Sequence, residues 1–104
     1  MDKAQILQRI KNSVKETAPD ATLILYGSYA RGDNRDDSDI DLLVLVNVDK
    51  VSYEEEKKIT YPLFDIEFDF GIIVSPLVFS RKAWETQYRI TPFYRNVVKD
   101  GIFL

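Results

Sequence analysis

The chain has 104 residues and a mass of 12.1 kDa, enough for one modest hydrophobic core and too few for two, so a single domain over residues 1–104 is expected. It contains neither Cys nor His, which excludes Ser-His-Asp hydrolysis, thiol nucleophiles and ordinary structural zinc. Seventeen acidic against fourteen basic residues leave a net charge of −3, a poor fit to direct nucleic-acid binding.

An enzyme built from these residues must work with carboxylates, Lys, Tyr and hydroxyls, and its natural cation is oxygen-ligated Mg²⁺ or Mn²⁺. The charge is unevenly distributed: +1 over residues 1–20, −7 over 21–79 and +3 over 80–104. The opening MDKAQILQRIKNSV has no continuous apolar run, so neither a signal peptide nor a membrane span is expected there. A soluble, cytoplasmic protein is the expectation.

From Asp2 to about Thr17, Ile6, Leu7, Ile10 and Val14 recur at helical spacing, and Ala18-Pro19-Asp20 stops the helix. Ala21 to Tyr26, ATLILY, reads as a buried strand that Gly27-Ser28 ends. Tyr29 to Ser38 reads as a short helical turn and an exposed loop. Asp39 to Val46, DIDLLVLV, is nearly continuous Leu and Val after its two carboxylates, as in a strand covered on both faces. Ser52 to about Leu63 opens with capping-box spacing and reads as a helix ending near Pro62.

Ile66 to Ser75 alternates, with Phe68, Phe70, Ile72 and Val74 on one side and Glu67, Asp69, Gly71 and Ile73 on the other, which predicts a third strand with an acidic face. Ser80 to Arg89 and Thr91 to Lys99 read as two closing helices, the second with Pro at its first position and Gly101 at its end. Trp84 and Phe93 are expected as core or interface anchors, and Glu54-Glu55-Glu56-Lys57-Lys58 as a solvated helix face.

The chemistry concentrates in Gly27-Ser28-Tyr29-Ala30-Arg31-Gly32 and Ser38-Asp39-Ile40-Asp41-Leu42-Leu43-Val44. A Gly at the turn lets backbone approach a phosphate, and the Ser hydroxyl with the first N–H groups of a helix makes an anion site. Two carboxylates two apart on a strand leave the same face roughly 6.6–6.8 Å apart at Cα and can share one or two divalent cations. A third carboxylate from an adjacent strand would complete a two-metal site for chemistry at phosphorus. Asp37-x-Asp39-x-Asp41 is no Ca²⁺ loop, since its sixth and twelfth positions are Leu42 and Val48.

These residues resemble the signature of the nucleotidyltransferase superfamily, and the short length points to its minimal nucleotidyltransferase (MNT) domains, the antitoxin-type partners of HEPN proteins. The resemblance implies an α/β fold with a small mixed β-sheet flanked by helices. It implies transfer of a nucleoside monophosphate, AMP from ATP, to a hydroxyl of a HEPN-type partner protein, with Mg²⁺ or Mn²⁺ as cofactor. In that assignment Gly27, Ser28 and Arg31 bind the nucleotide, with a surface ion pair to Asp33 or Asp36 as the alternative for Arg31, and Asp39 and Asp41 bind metal. Asp69 is the third acid, at the metal site or as proton acceptor, with Glu67 as its alternative. The competing reading is a catalytically idle binding module that neutralises a HEPN partner by occlusion. Transfer to a small molecule is disfavoured because little chain remains to build an acceptor pocket.

Overall fold

The structure, a computed structural model, describes residues 2–104. Asp2 caps α1 (Lys3–Thr17) by accepting from the Ala4 N–H, and Ile6, Ile10 and Val14 form the buried stripe of that helix. β1 (Thr22–Tyr26) leads through Gly27 into the single-turn α2 (Ser28–Arg31), and an exposed loop returns to β2 (Ile40–Val46). α3 (Tyr53–Phe70) precedes β3 (Val74–Ser80), and α4 (Arg81–Thr86), α5 (Pro92–Asp100) and β4 (Ile102–Phe103) complete the chain.

The sheet order is β3-β2-β1-β4. β2 pairs parallel with β3 and antiparallel with β1, and β4 runs antiparallel to β1, so the sheet is mixed. Both faces are covered. On one, α1 and α3 press Ile6, Ile10, Ile59, Leu63 and Ile66 onto Leu42, Val44 and Val46. On the other, Trp84 of α4 and Val97 of α5 pack on Ile24, Leu43 and Leu45. Period-2 alternation divides β2 between two cores, which explains its nearly unbroken Leu/Val run.

The expectation for residues 52–75 requires correction. The helix does not end at Pro62, and Ile66 to Ser75 is not a strand: α3 runs unbroken to Phe70, and β3 begins only at Val74. The alternation of Phe68, Phe70 and Val74 is coincidental with period 2, whereas Ile59, Leu63 and Ile66 recur at helical spacing and are the residues buried. Pro62 removes a backbone hydrogen bond to the carbonyl of Lys58, an exposed position, so that carbonyl is left to solvent. Gly71 ends the helix in the left-handed conformation, φ 67°, and its N–H donates to the Glu67 carbonyl.

The outward face of α3 carries Tyr53, Tyr61, Phe64 and Phe68, all exposed, with the Lys57 Nζ over the Tyr53 and Tyr61 rings at 5.1 and 5.9 Å. No helix among the described residues is long and apolar enough to cross a membrane. β3 is an edge strand, which accommodates Pro76 within it.

If α3 passes through Pro62 as a continuous helix, Pro62→Ala restores the missing donor. We expect a gain of about 1 kcal/mol after the entropy returned to the unfolded chain, and so a melting temperature higher by roughly 4–8 °C. A lower melting temperature would show that the chain uses the proline as a stop.

Candidate active site

Tyr26, at the end of β1, pairs with Asp41, near the start of β2, so the Gly27-Ser28 turn and the two aspartates meet at one end of the sheet. Gly27 has φ 75°, a conformation that glycine enters at little cost. A Cβ placed on it would fall on the Asp41 Oδ2. The absent side chain is therefore filled by a carboxylate, and the close approach fixes where Asp41 can stand. α2, which starts directly after Gly27, has no side-chain cap at its N-terminus. Lys3 holds that turn from α1, its Nζ donating to the Tyr29 carbonyl at 3.1 Å and lying 5.5 Å from the centre of the Tyr29 ring.

By alternation Asp39 and Asp41 share the face of β2 that carries Leu43 and Leu45, the face under α4 and α5. Burial, first, and the neighbouring Asp39 charge, second, raise the Asp41 carboxyl above its ordinary value, while Arg31 pulls it back. Arg31 acts on Asp41 through its charge, and its Nε is engaged with Asp33 Oδ2 at 3.2 Å. Tyr26 lies against this charge: burial and then the Asp41 carboxylate push its hydroxyl up to about 12, so it stays protonated. Its ring rests edge-on against Phe93 at 5.2 Å, tying the start of α5 to the site.

Gly27, Ser28, Arg31, Asp39 and Asp41 thus come together, and Asp69 does not. Asp69 sits on α3, across the sheet from the aspartate pair, and forms an exposed ion pair with Arg9 of α1 at 3.1 Å. Glu67 is on the same helix, and its Oε1 accepts from the Val74 N–H at 2.8 Å, pinning the start of β3. Among the described residues no group of three acidic side chains is placed to hold a metal ion. The position beside Asp41 on the neighbouring strand belongs to Ser75, whose hydroxyl donates to Asp39 Oδ2 at 3.3 Å. Sequence reasoning missed Ser75 because it put β3 eight residues early; the Gly71 helix stop was the signal that would have moved the strand.

The remaining donors, two adjoining carboxylates of which Asp41 is partly desolvated by burial, are a hard-oxygen set suited to a divalent cation. Without a cation they repel each other. The raised Asp41 value makes the folded chain take up that proton first as pH falls, so the penalty is fully present above the folded value and is relieved as pH drops through it. Asp41→Asn is therefore expected to raise the metal-free melting temperature at neutral pH, with the advantage over the parent shrinking as the buffer is acidified toward the ordinary carboxylate range. An advantage independent of pH would remove charge repulsion as its cause.

The family model for the nucleotidyltransferase domain matches residues 7–103. Two proteins of Methanocaldococcus jannaschii, both named as protein adenylyltransferases, are similar in sequence. MJ0141 is 30% identical over 83 residues, covering 78% of this chain and 83% of its own. MJ0604 is 31% identical over 87 residues, covering 76% and 72%. Among solved structures, a toxin–antitoxin complex with AMP-PNP superposes with a TM-score of 0.64 at 18% identity, covering 92% of this chain and 69% of that one. A Sulfolobus solfataricus protein named as a nucleotidyltransferase gives 0.58 at 21%, covering 95% and 76%. A mutant of the toxin–antitoxin pair MntA–HpeT gives 0.62 at 16%, covering 99% and 72%. These structures share the fold, and the match over residues 7–103 together with the two relatives places the chain in the nucleotidyltransferase domain family.

Proposed function

We propose that this nucleotidyltransferase moves AMP from ATP to a hydroxyl of a partner protein of the HEPN type, as the antitoxin of a toxin–antitoxin pair. The observation that carries the reading is the seating of the Asp41 carboxylate in the space left by the Gly27 Cβ, which joins the phosphate-binding turn to the acidic pair. The names of the M. jannaschii relatives support a protein acceptor, and the toxin–antitoxin neighbours support the partner.

In this reading the Gly27-Ser28 turn and the uncapped start of α2 receive the triphosphate, and Arg31 adds positive potential beside it. Asp39 and Asp41 hold Mg²⁺ or Mn²⁺, which when bound supplies the positive charge that lets a triphosphate lie next to two carboxylates. Tyr26, protonated and braced by Phe93, supports Asp41 from the neighbouring strand. The remote position of Asp69 favours a second reading, an idle module that neutralises its partner by occlusion.

Incubation with labelled ATP, Mg²⁺ and the partner protein separates the two: the first reading expects label on the partner, and inhibition without label supports the second. Calorimetry should show ATP binding in Mg²⁺ and little in EDTA, and equal affinity in both would remove the metal role of Asp39 and Asp41. The double replacement Asp39→Asn with Asp41→Asn should lower transfer by about a hundredfold or more, the scale on which carboxylate ligands matter, without lowering the melting temperature. A double variant with full activity would place the chemistry elsewhere.

A further inference from the structure

Ser75 stands on β3 directly beside Asp41 on β2, and side chains at paired positions leave the same face of a sheet. Asp39, two residues before Asp41, uses that face too. The Ser75 hydroxyl reaches Asp39 Oδ2 at 3.3 Å. Three constraints hold the serine where it is. The Glu67 carboxylate accepts the Val74 N–H at 2.8 Å, fastening the strand start to α3. The Ile40 N–H donates to the Ile73 carbonyl at 2.9 Å, fastening it to β2. Pro76 follows immediately, and a residue before proline is restricted to extended backbone.

We propose that Ser75 is a positioning residue for the aspartate pair: its hydroxyl holds the Asp39 carboxylate in the orientation in which Asp39 and Asp41 together take one divalent cation. The inference rests on the metal role given above to those two residues. Asp39 precedes β2 by one residue and lacks the full ladder of a strand interior, so its carboxylate needs an anchor outside its own backbone. A hydroxyl is the suitable group. It donates to a carboxylate, where an acidic side chain at the same place would repel it, and it adds no third negative charge to the face that Asp39 and Asp41 share. Residues that hydrogen-bond a ligating carboxylate set its angle and thereby the affinity of the site.

The test is Mn²⁺ titration of the nucleotide-free protein, read by electron paramagnetic resonance of the free ion, together with melting curves, for the parent chain, Ser75→Ala, Ser75→Thr and Ser75→Asp. Ser75→Ala is expected to weaken Mn²⁺ binding by about tenfold or more. Ser75→Thr keeps the hydroxyl on a strand that favours β-branched residues and should return most of the affinity. Ser75→Asp, by adding a third negative charge on the same face, should lower the metal-free melting temperature and show a larger rise with Mn²⁺ than the parent. A parent chain that binds Mn²⁺ and a Ser75→Ala variant that matches it would overturn the role of Ser75 alone. A parent chain that binds no Mn²⁺ would remove the metal role of the pair and this inference with it. A Ser75→Asp variant that melts and responds like the parent would show that position 75 does not face the aspartates.

Discussion

β2 must be dry on both faces along most of its length, and this requirement fixes everything built around it. Leu42, Val44 and Val46 fill the core under α1 and α3, while Leu43 and Leu45 fill the core under α4 and α5. Each such side chain stabilises the fold by roughly 1.5–3 kcal/mol when buried. A slip of one residue would exchange the faces of every one of them and carry Asp41 into the position of a core leucine. The register is therefore held by the core, and the aspartates inherit their place from it: they occupy the only part of the strand sequence that both cores leave at the rim. Chemistry and packing are adjacent segments of one alternating pattern.

Much of this was legible in the residues. α1, β1, β2 and the N-terminus of α5 follow from strong periodicity bounded by Pro19, Gly27 and Thr91-Pro92, signals that local sterics enforce whatever the surroundings. The turn and the aspartate pair could be placed at one end of the sheet because the spacing puts them on consecutive strands. Residues 62–75 were not legible in the same way. Pro62 is a helix breaker by propensity, yet burial of Ile59, Leu63 and Ile66 against the sheet outweighs the loss of one hydrogen bond at an exposed position. Phe68 and Phe70 imitate a strand, although Phe68 is 89% exposed and stabilises no core. β4, with two residues, has no local signal and exists through its pairing with Ile24 and Leu25.

The misplacement of β3 had a chemical consequence. An acid on α3 belongs to the layer that covers the opposite face, so no rotamer of Asp69 substitutes for a strand residue beside Asp41. Once the strand begins at Val74, the register leaves a serine there. Asp69 becomes a partner for Arg9 and Glu67 a clasp on β3, which turns two candidate catalytic acids into contacts that hold α3 to α1 and to the sheet.

The charge division follows the same layering. α3 carries six acidic and two basic residues, whereas residues 81–100, the α4 and α5 layer, carry five basic and two acidic. The aspartate pair lies on the face of the second layer but at the end of the sheet where β1 turns into α2, whereas Arg81 bonds Asn47 and Thr22 at the opposite end of the two strands, so the field of that cation is centred away from the carboxylates. Screening confines such a field to about 8–10 Å at physiological salt, which is the scale of one helix layer. Asp41 is raised because burial and Asp39 outweigh Arg31 in its immediate surroundings. The repulsion inside the pair is therefore set by its own immediate neighbours and remains to be met by a cation.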